Sequence, residues 1–352
     1  MNDDMNISEM LTDQLQRLFA REVTPAVLAG AENGRFAETL WRQVGEMGVV
    51  EALAAEEAGG SGLGWTEIEP VLRACGQHAA PIPLGEAMLA AWALSEAGLA
   101  RPEGVIAVSG ALWTLAADGI VSGADLLIPW LPHSQNLLLV ARGEGGDFLC
   151  LFETAGLQVK TVDTIERTPA GALELSGARP RASAPARALS SMGLLPHLAT
   201  VRAVQMAGLL DSMRGLCVEY ANTRVQFGKP IARFQAVQHM IADLAGQTAA
   251  SQVAGLYACR QIDGGNPEAA QFGAAVAKTR LGSAATRASA IAHQVFGAIG
   301  ITDEHQLHYF TRRLWQWRAE AGSEHEWSAW LGRQAIDAGG AALWPKLAAH
   351  SA

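Results

Sequence analysis

The chain has 352 residues, 49% of them hydrophobic and 17% charged, which is enough apolar material for a large core divided among two or three domains. Its net charge of −9 argues against a nucleic-acid protein, which would carry a basic face, and no uncharged apolar run reaches the roughly eighteen residues of a membrane span. Cys75, Cys150, Cys217 and Cys259 are widely spaced with no CxxC pair, so reduced thiols are expected in place of a disulfide framework or a metal site. With an acidic, polar N-terminus, the expected location is the cytoplasm.

Residues 1–103 read as helical. Met10, Leu11, Leu15, Leu18 and Phe19 form one apolar stripe, and Phe36, Leu40, Trp41, Val44 and Met47 form a second. Between them and the next helix lies Ala55-Glu-Glu-Ala-Gly59-Gly-Ser-Gly-Leu-Gly64. It fails as a dinucleotide fingerprint, because the final glycine position falls on Trp65 and no strand precedes it; Thr66 is placed to cap the helix that follows. A short helix is expected near residues 88–94.

Residues 104–186 change period. Short apolar runs at 105–108, 137–140, 148–152, 157–162 and 172–175, punctuated by Gly, Asp and Pro, predict a small β-barrel or sandwich, with 178–185 as the linker leaving it.

Residues 187–352 return to the helical period, with long helices predicted over 199–222, 235–262 and 267–297. Abundant Ala and Gly permit close helix packing, as in a four-helix bundle. The first two helices are joined by Tyr220-Ala-Asn-Thr-Arg224-Val-Gln-Phe227-Gly-Lys-Pro-Ile231-Ala-Arg-Phe234-Gln235. Glycine and proline break the helix there, and Arg224 and Lys229 stand beside Phe227 and Phe234. The segment reads either as a plain turn with solvated charges or as a holder for a flat, anionic ligand. The third helix ends in Gln294-Val-Phe296-Gly297-Ala298-Ile-Gly300. The tryptophans at 315, 317, 327, 330 and 344 suggest packing more than chemistry.

The order all-α, small β, helical bundle, together with these two motifs and the glycine-rich segment after Met47-Gly-Val-Val, resembles the acyl-CoA dehydrogenases over nearly the whole chain. That resemblance implies an α+β fold and flavin-dependent removal of hydrogen between the α and β carbons of an acyl-CoA, with FAD as cofactor. It implies that the motifs reach across a subunit interface: Arg224 to the FAD pyrophosphate, Phe227 and Gln235 to the adenosine end, and the backbone of the loop holding Gln294, Phe296, Gly297 and Ala298 to the diphosphate. Ala298 departs from the family's second glycine.

Two larger departures concern the reactive end. The Gly-Ser-Asp and Trp-Ile-Ser/Thr stretches that hold the isoalloxazine in the family are missing from residues 100–185. The family's base, a Glu before Gly-Thr, aligns with Ala321, whereas Glu320 lies one position away, about 100° around a helix. The chain therefore resembles the base-lacking subunit of bacterial α2β2 acyl-CoA dehydrogenases, some of which act on steroid side chains. The implied partners are acyl-CoA, a second dehydrogenase subunit in a dimer or tetramer, and an electron-transfer acceptor. A homo-oligomeric enzyme using Glu320 as base and a non-catalytic scaffold are the alternatives.

Overall fold

The computed structural model describes residues 6–349. Five helices open the fold: α1 (Ile7–Glu22), α2 (Pro25–Glu32), α3 (Glu38–Glu46), α4 (Trp65–Gln77) and α5 (Leu84–Glu96). The helix starts follow local chemistry: the Asn6 side chain accepts the Ser8 N–H, while Thr24 caps α2 with Pro25 in its first turn. Helix α4 begins at Trp65, so the capping group is not the predicted Thr66 but the Asp263 carboxylate, which accepts the Trp65 and Thr66 N–H groups at 2.6 and 2.8 Å. A cap supplied from a residue nearly two hundred positions away leaves no local signature.

Strands β1 (Ile106–Leu115), β2 (Val121–Pro129), β3 (Asn136–Gly143), β4 (Gly146–Glu153), β5 (Lys160–Val162), β6 (Ala170–Ala178) and β7 (Ala182–Pro185) form one mixed sheet. Their order is β5-β6-β2-β1-β3-β4-β7, with β1 and β3 parallel. The expected choice between barrel and sandwich resolves into this single sheet, wrapped around Trp113, Leu139, Cys150 and Leu173. Two corrections follow. The 178–185 linker contains β7, whose Ala184 pairs with Leu149, because a short alternating segment satisfies the open edge of β4. Residues 111–128, lacking a clear period, supply most of β1 and β2, and the β1–β3 register slips between Val108 and Leu112.

The third layer is built on α6 (Leu195–Thr223), α7 (Gln235–Asp263) and α8 (Pro267–Phe296), close to the predicted spans. A two-strand hairpin, β8 (Val225–Gln226) and β9 (Lys229–Pro230), interrupts α6 and α7. Helices α9 (Leu307–Ala319) and α10 (Glu324–Ala338) pack on α8, and α11 (Gly340–Ala349) follows. Small residues bring the layers together: a Cβ on Gly76 would strike the Gln205 carbonyl and one on Gly208 the Arg73 carbonyl, so α4 and α6 touch through their backbones. Of the tryptophans at the C-terminal end, Trp317 and Trp327 are buried whereas Trp344 is exposed. No described helix is long and apolar enough to cross a membrane.

Candidate functional site: an outward corner and a cleft over a buried ionic cluster

Helix α6 stops at Thr223 and Arg224 turns the chain into β8, its N–H still donating to the Tyr220 carbonyl at 2.8 Å. Pairing of Val225 with Pro230 and Gln226 with Lys229 leaves a two-residue loop, Phe227-Gly228, with both φ angles positive (+52° and +78°). This is the backbone that matches hairpin twist, but glycine-like residues usually occupy both positions. Holding phenylalanine there costs on the order of 1 kcal/mol. Phe227 is nevertheless 91% exposed, edge-on to Phe234 at 6.1 Å, while the Lys229 ammonium lies over the Phe234 ring at 4.5 Å. Gln235, the first residue of α7, is also exposed. Among the described residues, no carboxylate of this chain pairs with Arg224 or Lys229.

The second motif arrives at the same corner. Tyr220 stacks on Phe296 at 4.4 Å, and its hydroxyl donates to the Phe296 carbonyl at 3.4 Å, so the ends of α6 and α8 are joined. Gln294, Gly297 and Ala298 face outward, and Gly297 (φ +60°) turns the backbone out of α8 with open space beside its Cα. The Phe296 ring is buried between Tyr220 and His305, where it braces the loop. The exposed guanidinium, ammonium, aromatic face and bare glycine backbone fit the phosphate-and-base end of a dinucleotide.

A cleft of about 610 Å³ opens elsewhere, between residues 108–111 of β1, residues 125–129 of β2, the start of α6 and residues 319–322. Its β side is satisfied internally. Ser109 donates to Asp125 at 2.6 Å and accepts from the Trp113 indole at 3.0 Å, while Leu126 projects 78% exposed. Its floor is a buried ionic cluster. Arg202 donates through Nε to Glu320 at 2.7 Å and through Nη1 to Gln205 at 2.7 Å, and it also binds Glu86. Gln316 donates to the other Glu320 oxygen at 2.8 Å.

Glu320 is not on a helix. It is 5% exposed, follows α9 with extended backbone (φ −64°, ψ 147°), and has both carboxylate oxygens engaged. Ala321, at the aligned base position, has φ +52° and its carbonyl is held by the Trp327 indole at 2.9 Å. Lys278, fully buried on α8, donates to the carbonyls of Trp317, Arg318 and Glu320, fixing the end of α9. Burial pushes the Lys278 amine down to about 7 against the pull of the Glu320 carboxylate.

Glu166, reaching in from the β5–β6 loop, meets Arg313 at 3.7 Å. Burial and then the Glu320 charge push its carboxyl up to about 7, opposed by Arg313. Burial also works against the Arg202 charge, but Glu86, Glu320 and Glu166 together hold its pKa above the ordinary value. Sequence reasoning missed Glu86, Glu166, Arg202, Lys278 and Arg313. The available signal was charge inside apolar runs, such as Arg202 between Val201 and Ala203. No group of metal-ligating side chains occurs among the described residues, and the four cysteines are free and buried.

Residues 7–100 match the family model described as the acyl-CoA dehydrogenase N-terminal domain, and residues 189–325 match the acyl-CoA dehydrogenase C-terminal domain. Acyl-CoA dehydrogenase IpdE2 of Mycobacterium tuberculosis is 30% identical across 87% of this chain and 90% of its own. Among solved structures, a chain of the Tcur3481-Tcur3483 steroid ACAD G363A variant superposes with a TM-score of 0.83 at 26% identity, covering 93% of this chain and 96% of that one. A chain of the ChsE4-ChsE5 complex from Mycobacterium tuberculosis gives 0.84 at 23% identity, covering 95% and 98%.

Proposed function

For this chain, which belongs to the acyl-CoA dehydrogenase family of flavoprotein oxidoreductases acting on CH–CH bonds, we propose the role of a subunit that completes the FAD site of a partner dehydrogenase subunit. The observation that carries this reading is Phe227: an aromatic side chain 91% exposed on a strained backbone, beside Arg224 and Lys229, with the chain's own core turned away from it. Arg224 would hold the pyrophosphate, Phe227 and Gln235 the adenosine end, and the Gln294–Ala298 backbone turn the diphosphate. FAD supplies the hydride acceptor. The residues of this chain bind and orient its remote end.

The cleft of this chain supports the same division. A base must present a free carboxylate to the substrate α-proton, but Ala321 has none and Glu320 is committed to Arg202 and Gln316. The base and the isoalloxazine contacts would then come from the partner. The likeness to a steroid-acting enzyme with a two-part name favours a bulky acyl-CoA substrate.

The test is flavin content. Purified alone, the chain should bind little FAD; coexpressed with a dehydrogenase-like partner it should yield a yellow complex bleached by acyl-CoA. Stoichiometric flavin in the lone chain, bleached by acyl-CoA, would refute the proposal in favour of a homo-oligomeric enzyme.

A further inference from the structure

The glycine-rich segment before α4 forms one wall of a second cavity, of about 350 Å³, remote from Arg224 in sequence and built from other elements. Its opposite walls come from α5, the start of α6 and the α7–α8 turn. Three aromatic rings line it. Trp92 stacks on His197 at 4.6 Å, Trp65 meets Trp92 edge-on at 5.6 Å, and Trp65 and His197 are 5.8 Å apart.

Two polar atoms in this cluster are unsatisfied. The Trp65 indole Nε1 and the His197 Nδ1 are buried without a hydrogen-bond partner, in side chains whose residues are each only 2% exposed. An unpaired buried donor or acceptor carries its full desolvation cost, so such groups ordinarily face a ligand or water. Burial pushes His197 down to about 3, leaving a neutral imidazole that offers one donor and one acceptor. The charged groups at the rim are the carboxylates of Glu96 and Asp263, and no lysine or arginine lines the cavity among the described residues. Asp263 is already committed to the α4 N-terminus.

We propose that this cavity is a binding site for a small neutral aromatic molecule carrying a carboxamide group. Its ring packs against Trp92 and Trp65, its oxygen accepts from the Trp65 indole N–H, and its amide donates to His197 Nδ1 in the tautomer protonated at Nε2. The volume lies at the small end of ligand pockets. The rim carboxylates disfavour anions, which weakens binding of carboxylate analogues of the same shape.

Benzamide serves as the probe, titrated into the ¹⁵N-labelled full chain while the indole N–H resonances are followed. The resonance that disappears in Trp65→Phe should shift saturably, the other indole signals reporting that the variant folds. Trp65→Phe and His197→Phe should each weaken binding several-fold, up to roughly tenfold, the range for one neutral hydrogen bond. Benzoate should bind more weakly than benzamide. The proposal is overturned if the Trp65 resonance does not move at millimolar benzamide, if Trp65→Phe binds benzamide as tightly as the parent, or if benzoate binds equally well.

Discussion

Replacing Glu320 by glutamine separates a structural carboxylate from a catalytic one. The substitution keeps length and one carbonyl acceptor but deletes the charge opposite Arg202 Nε, 2.7 Å away at a residue 5% exposed, where water does not substitute for it. A hydrogen bond between charged groups contributes about 1.5–3 kcal/mol. Two features reduce the loss: Arg202 retains Glu86, and Glu166 is relieved of a like charge. The expected cost is therefore near the low end, about 1.5 kcal/mol. Glu320→Ala, which removes the acceptor as well, should cost about 3–5 kcal/mol, the range for breaking a buried pair. Urea unfolding followed by tryptophan fluorescence should show a lowered midpoint at unchanged slope for Glu320→Gln. Acyl-CoA turnover by the assembled enzyme should be retained. A variant with the parental midpoint and no turnover would refute the reasoning and make Glu320 the base.

Arg224→Ala should leave the stability of the lone chain unchanged, because no side chain among the described residues pairs with it, and should weaken FAD binding by the complex about tenfold or more, as loss of a charge-assisted phosphate contact requires. Fluorescence titration of flavin-stripped complex measures this. Glu166→Gln should change the pH dependence of unfolding. A carboxyl raised from 4.5 to about 7 in the fold binds more protons than the unfolded chain between those values. Its stabilising contribution is therefore present below about pH 4.5 and lost as pH rises through 7, and the slope of stability against pH across that window should flatten in the variant. Gly208→Ala should force α4 and α6 apart, since its methyl group would lie on the Arg73 carbonyl, and destabilise by about 1–3 kcal/mol or more; a thermal melt reads it.

The long elements were legible because their signals are local. The apolar period from Ala199 to Tyr220 fits α6, and the Gly228-Lys229-Pro230 break marked the hairpin. The motif residues Arg224, Phe227 and Gln235 stand outward at one corner, where their chemistry is available to a second chain. Long-range satisfaction was not legible. The Asp263 cap on α4, the pairing of β7 with β4, and the Arg202 cluster each join residues distant in sequence, so periodicity carries no trace of them. Glu320 shows the difference most clearly. The sequence placed it one step from the aligned base position on a helix, whereas it lies beyond the end of α9 in extended backbone, and its burial became visible only when α5, α6 and α9 were assembled around Arg202.

Helix α6 carries Arg202 near its start and leads directly into Arg224 beyond its end. At 1.5 Å per residue these positions lie about 33 Å apart along one strut. Groups so far separated act additively when they share no contacts. A change in the ionic floor of the cleft at one end of the strut therefore leaves the exposed corner at the other end undisturbed. The two ends can vary independently within a single helix.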